Sequence, residues 1–167
     1  MDQRSAEDLV RYLGRIRQRT ERLVALVPPD RIEWRPTTGA FSFGDLLRHL
    51  AALDRYMFAE NLRGRPSTYP GHGPELAEGY EAVMSYWRRL RAESFALIEE
   101  LTAEQLRSSC TTPGGADLPA WKWLRAMIEH EVHHRGQLYL MLRLCGVETP
   151  PLYGLTSEEV AAKSRLP

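Results

Sequence analysis

Residues 121–146 read WKWLRAMIEHEVHHRGQLYLMLRLCG, one uninterrupted helical pattern that carries three of the five histidines of the chain. An α-helix advances about 100° per residue, so His130 and His134 project roughly 40° apart on one face. Trp123, Met127, Gln137 and Met141 fall within about 60° of His130 on the same projection, which puts both histidines in the stripe that turns toward the interior. A single buried histidine is ordinarily a hydrogen-bonded core residue. Two at i, i+4 in one apolar stripe let their imidazoles converge on one metal ion. His133 projects about 100° from His134 and reads as an outer group.

Three further amphipathic segments precede this helix. Residues 5–27 keep a helical period through Leu9, Leu13, Ile16, Leu23 and Leu26, starting near Ser5 with Asp8 in the first turn, until Pro28 and Pro29 stop it. The turn-rich segment that follows carries Trp34, which pins it to the helices. A second helix is predicted from Ser42 as N-cap to about Leu62, with Phe43, Leu46, Leu50, Leu53 and Met57 as its apolar stripe. His49 lies on the flank of that stripe. Alone it reads as a half-buried core histidine, and beside His130 and His134 it becomes a candidate third ligand. Residues 63–76, rich in Gly and Pro, form a loop in which His72 is expected to be exposed. A third helix is predicted over residues 74–101, with Arg88, Arg89, Arg91 and Glu93 on a solvated face. A capped turn at Thr102, a second long loop and, after Gly146, an extended return with a short helix from Thr156 complete the chain. No strand alternation is visible.

The pattern predicts an all-α fold, an antiparallel four-helix bundle in a single domain spanning residues 1–167, with a short C-terminal extension. Its 167 residues balance 22 basic against 22 acidic side chains, which offers no basic footprint for nucleic acid. No apolar run approaches the ~20 residues needed to cross a bilayer, and the charged N-terminus has no signal-peptide core. Cys110 and Cys145 are too few and too far apart for a disulfide framework, so a reducing cytoplasm is the expected compartment, with Cys145 as a small core residue. Ile128, Val132 and Tyr139 project from the far side of the last helix and suggest a homodimer face.

His49, His130 and His134 would give three nitrogen ligands and leave a coordination position open, as catalytic sites do. Imidazoles suit zinc, nickel, copper or iron(II) alike. Residues 130–134 also match H-E-x-x-H, but a peptidase needs an edge strand beside the helix, and the extended form fails because Gln137 stands where its glycine should be. Glu131 reads as a solvated helix residue, with a role as base as the alternative. Arg135 projects away from the metal stripe and reads as a packing or interface residue.

The chain resembles the DinB/YfiT-like family of bacterial four-helix metal proteins. The resemblance runs through FSFGDLLRHLAALD (residues 41–54), HEVHHRGQLYLMLRLCG (residues 130–146), Arg35-Pro36 and the tail after Gly146. It implies a divalent metal ion, commonly nickel or zinc, on His49, His130 and His134. It further implies a low-molecular-weight thiol as co-substrate, since relatives include thiol S-transferases and mycothiol-dependent isomerases, and a homodimer. The expected function is thiol transfer to a small electrophilic substrate; metal-dependent hydrolysis of a small molecule and a non-catalytic metal-binding stress protein are the alternatives.

Overall fold

The computed structural model describes residues 2–164. Helix α1 (Gln3–Val24) is capped by Asp2, whose carboxylate accepts the Ser5 N–H at 2.8 Å, so the helix starts ahead of the Ser5 expected from sequence. Helix α2 (Phe43–Leu53) begins with a reciprocal capping box between Ser42 and Asp45. It then passes through a π-helical stretch, Asp54–Phe58, and ends in Ala59–Leu62. Helix α3 (Tyr80–Glu99) starts later than predicted, because Pro74–Leu76 form only a 3-10 turn and Gly79, at φ 79°, swings the backbone into the helix. The short α4 (Ala103–Arg107) carries a Thr102–Gln105 capping box.

Next comes a feature invisible in the sequence pattern, a two-stranded antiparallel hairpin of β1 (Ser109–Thr111) and β2 (Asp117–Pro119). Strands of three residues are too short to reveal alternation. Helix α5 (Ala120–Leu144) ends as predicted at Gly146, where the Val147 N–H reaches back to the Leu142 carbonyl at 2.9 Å. Helix α6 (Ser157–Lys163), capped by Thr156, closes the described chain. No helix among the described residues is long and apolar enough to cross a membrane.

The long helices form the predicted bundle around two apolar clusters. One gathers Leu23, Phe43, Leu47, Leu50, Trp87, Leu90, Leu138 and Leu142; the other gathers Leu13, Ile16, Phe58, Leu62, Ile98, Leu106, Leu124 and Met127. Chain order through the clusters fixes direction. Helices α1 and α5 run from the second to the first, while α2 and α3 run from the first to the second. Helices α2 and α3 are therefore parallel, as are α1 and α5, so the all-α bundle stands but is not antiparallel between every pair of neighbours as expected; residues 63–79 must cross back along the length of the bundle. Trp34 packs on Phe43 at 5.6 Å between ring centroids and pins the α1–α2 connection, as its loop position suggested.

Where the clusters meet, each helix contributes one buried charge: Arg17, Asp54, Arg91 and Glu131. Arg17 Nη2 donates to Asp54 Oδ2 at 2.8 Å and to Ser94 Oγ at 2.9 Å. Arg91 donates from Nη1 to both Asp54 and Glu131 and from Nη2 to Glu131 at 2.8 Å. The Arg91 guanidinium lies over the Trp87 ring at 4.5 Å, and that of Arg17 over Phe95 at 5.4 Å. Two expectations fail here. Arg91 and Glu131, read from sequence as solvated, are 5% and 1% exposed. They pair with each other across helices, which single-helix projections do not register. Ile128 likewise lies in the core at 6% exposure, whereas Val132 is exposed.

Burial would raise the Glu131 carboxyl, but Arg91 outweighs it and holds the group below the ordinary carboxylate range. Burial and the charge of Arg91 lower Arg17 to about 10, still protonated at neutral pH. Removing one member of such a layer strands its partners without compensation. Replacement Arg91→Ala is expected to cost about 3–5 kcal/mol of unfolding free energy in denaturant titration; a loss near that of an exposed arginine would show that the layer does not hold the bundle.

Candidate metal centre

Three helical positions bring His49, His130 and His134 together, the only such group of histidine, cysteine or acidic ligand atoms among the described residues, with all atoms within 4.8 Å of one another. The α5 pair follows from i, i+4 spacing. His49 faces them because α2 packs along α5 with Leu46, Leu50 and Leu53 buried on its inner side. The Nε2 atoms converge: His130 lies 3.0 Å from His134 and 3.2 Å from His49. Ligand nitrogens around a tetrahedral ion with bonds of about 2.0–2.1 Å stand about 3.3 Å apart, so two edges already have ligand-like spacing.

The opposite ring nitrogens differ in what holds them. His134 Nδ1 contacts Gln137 Oε1 at 2.5 Å, which requires the ring to donate from Nδ1 and leaves Nε2 bare. His49 Nδ1 lies 2.8 Å from the Tyr69 hydroxyl. His130 Nδ1 is buried without a partner. Burial, reinforced by the neighbouring imidazoles His134 and His130, lowers His49 to about 3, and burial with His134 lowers His130 to about 4. Burial also lowers His134. All three rings are thus neutral at pH 7, the form in which imidazole ligates metals.

The surroundings revise several expectations. His72, read as an exposed loop residue, is half-buried beside the centre: its Nδ1 is 2.8 Å from the Tyr69 hydroxyl and its ring 4.5 Å from that of Phe41. Neither Tyr69 nor His72 carried a periodic signal, because the crossover segment that presents them is irregular. Glu131, adjacent in sequence to His130, is committed to Arg91 and offers no base to the site. The β1–β2 hairpin sits at the start of α5, ten residues and about 15 Å of helix from His130, so no strand flanks the histidines. His133 is exposed with its ring 4.8 Å from that of His134, outside the cluster as expected. Arg135 is buried, donating to the Ile16 carbonyl at 3.4 Å and the Tyr153 hydroxyl at 3.1 Å, a packing role. Both cysteines are free, Cys110 buried and Cys145 half-buried against the core.

Comparison with known proteins agrees with this architecture. The family model described as the DinB superfamily matches residues 12–138. The sequence is 24% identical over 137 residues to the uncharacterised protein YjoA of Bacillus subtilis, covering 80% of this chain and 86% of that protein. The crystal structure of YjoA superposes with a TM-score of 0.70 at 22% identity, covering 87% of this chain and 96% of that one. A DinB-like protein from Bacillus cereus gives 0.71 at 15% identity, covering 86% and 94%. The mycothiol-dependent maleylpyruvate isomerase gives 0.55 at 16% identity, covering 83% of this chain and 61% of that one. At these identities the structural likenesses establish the fold.

The lowered histidines predict an acid sensitivity of the metal-free protein. Between the ordinary value of 6.5 and the folded values of about 3 and about 4, the unfolded chain binds protons that the folded one refuses. Stability is therefore full above pH 6.5 and is lost as pH falls toward 4, before most carboxylates titrate. Denaturant midpoints measured across that window should fall less steeply in a His49→Gln, His130→Gln double variant. Equal slopes would mean that the rings are not held neutral.

Proposed function

The chain belongs to the DinB superfamily, and on that premise we propose that it is a metal-dependent thiol S-transferase acting on a small electrophilic substrate. The observation that carries the reading is the convergence of three neutral histidine Nε2 atoms from two helices. His49, His130 and His134 would hold a divalent ion, nickel or zinc. Such an ion with three protein ligands supplies an open position where a low-molecular-weight thiol is bound as thiolate, a nucleophile at neutral pH. The thiol dependence of the maleylpyruvate isomerase that shares the fold supports that choice of co-substrate.

The remaining parts belong to the chain. Gln137 holds the His134 ring in ligating orientation, and Tyr69 contacts that of His49. Phe41 packs against His49, His72 and His134 at centroid distances of 5.2, 4.5 and 6.3 Å, and gives the centre an apolar wall. Next to it, Pro36, Ala40, Phe41, Gln137, Leu140, Met141 and Leu144 line a groove of about 200 Å³. That groove suits the apolar part of a small substrate held beside the open position. Hydrolysis by metal-bound hydroxide is the second reading; Glu131, its sequence-adjacent candidate base, is held in its ion pair. On the same reading the protein works in the cytoplasm, where such thiols occur, and pairs as a homodimer through the face on which Val132 and Tyr12 remain exposed.

Elemental analysis of purified protein should find about one nickel or zinc per chain, lost in His49→Ala and His134→Ala. Loaded protein should then consume electrophiles only when a thiol is added. Wild-type protein that neither contains nor takes up either metal would sink the proposal. Turnover without added thiol would move it to hydrolysis, and absence of both turnovers to a non-catalytic metal protein.

A further inference from the structure

The crossover segment passes the metal centre, and its two polar side chains there form one chain of hydrogen bonds. The Tyr69 hydroxyl oxygen lies 2.8 Å from His49 Nδ1 and 2.8 Å from His72 Nδ1. A phenol has one proton, so it can donate to only one of these nitrogens and must accept from the other. If Tyr69 donated to His49, the His49 ring proton would sit on Nε2, the atom 3.2 Å from His130 Nε2, and no ion could bind there. If instead His49 donates from Nδ1 and Tyr69 passes its proton toward His72, then Nε2 is bare. We propose that Tyr69 and His72 are positioning residues whose hydrogen-bond relay fixes His49 in its metal-ligating tautomer. The inference rests on the reading of the three histidines as ligands.

The relay is built into the fold. On one side of it the Thr68 N–H donates at 2.9 Å to the carbonyl of Tyr56, inside the π-helical stretch of α2. On the other, Arg48 donates to the His72 carbonyl from Nε at 2.7 Å and to the Ala77 carbonyl from Nη1 at 2.9 Å. Arg48 is itself completely buried and paired with Asp45 and Glu33, both at 2.8 Å. Gly44 makes room for this clamp, since a Cβ there would stand 2.7 Å from the Glu33 carboxylate and 2.9 Å from the guanidinium. Residues 68–77 are thus tied at both ends to α2, the helix that carries His49. Tyr69 serves His49 as Gln137 serves His134. The two holders differ in reach: Gln137 lies on the helix of its histidine, while Tyr69 must be brought from a separate segment.

The test is zinc titration of the full-length metal-free protein against a chromophoric chelator, with imidazole tautomers followed by long-range proton–nitrogen NMR. Tyr69→Phe keeps the ring and removes only the relay oxygen. It should weaken zinc binding about 10- to 100-fold, the usual effect of losing an outer hydrogen-bond partner of a metal ligand. The His49 signals should change from a single Nδ1-protonated form to a mixture, with the unfolding midpoint of the metal-free protein unchanged. His72→Gln, which retains an acceptor for the Tyr69 proton, should keep more affinity than His72→Ala. Tight zinc binding by the wild type and equally tight binding by Tyr69→Phe would overturn the relay alone. A loss of affinity matched by a loss of metal-free stability, with the His49 tautomer unchanged, would also overturn it, as a general loosening of the segment. A wild type that binds neither zinc nor nickel would overturn both the relay and the metal reading.

Discussion

A buried charge tolerates little displacement, and this bundle places four at one level. Apolar side chains can slide past one another at modest cost, but a guanidinium bonded to two carboxylates on two other helices cannot. Moving α5 by one turn, about 5.4 Å, would separate Glu131 from Arg91 and leave both buried and unpaired. Moving α2 would do the same to Asp54 with Arg17 and Arg91. The quartet takes one residue from each long helix and sits where the apolar clusters meet, so it fixes the axial register of the whole bundle. Buried ionic groups are weak contributors to net stability but can specify an arrangement, and the geometry here fits that role.

The histidine cluster inherits this register. His130 precedes Glu131 directly, His134 follows one turn later, and His49 lies five residues before Asp54. Once Asp54 and Glu131 meet around Arg91, the heights of all three imidazoles are fixed. The π-helical stretch that begins at Asp54 contributes as well. A wider turn shifts the phase of the helix, so the faces bearing Leu46 and Leu50 before it, and Phe58 and Leu62 after it, both turn to the core while Asp54 stays completely buried. Its Tyr56 carbonyl is then free to bind the crossover segment. Register, bulge and crossover therefore act together to assemble one site.

What was legible in the sequence followed from periodicity. Helical spacing in residues 121–146 announced α5 and its two histidines, while His49, on the flank of the α2 stripe, became a candidate only beside that pair. Capping signals at Ser42, Thr102 and Thr156 located helix starts correctly. What could not be read depends on pairing between distant segments. Arg91 and Glu131 look solvated on their own helices and become buried only through each other, 40 residues apart. Tyr69 and His72 belong to a segment without period, and their place was set by the parallel course of α2 and α3, a property of topology. The β1–β2 hairpin fell below the length at which alternation can be seen.

The charge balance of the site bears on what it takes up. The three histidines are neutral, and the cluster includes no carboxylate or thiol among the described residues. Of the two acidic groups that flank His130 in sequence, Glu129 is exposed beside Arg125 and Glu131 pairs with Arg91, while Arg17 and Asp54 complete the buried quartet. A divalent cation held by these ligands would keep its full charge in partly desolvated surroundings, where uncompensated charge is costly. The compensating anion must then come from the open side, as a thiolate, a hydroxide or an anionic substrate group. Of these, a thiolate is also a strong nucleophile, and the neighbouring wall of Phe41, Ala40, Met141 and Leu144 favours an apolar companion over water. Three neutral ligands beside a charge layer that pairs within itself would in this way favour incoming negative charge.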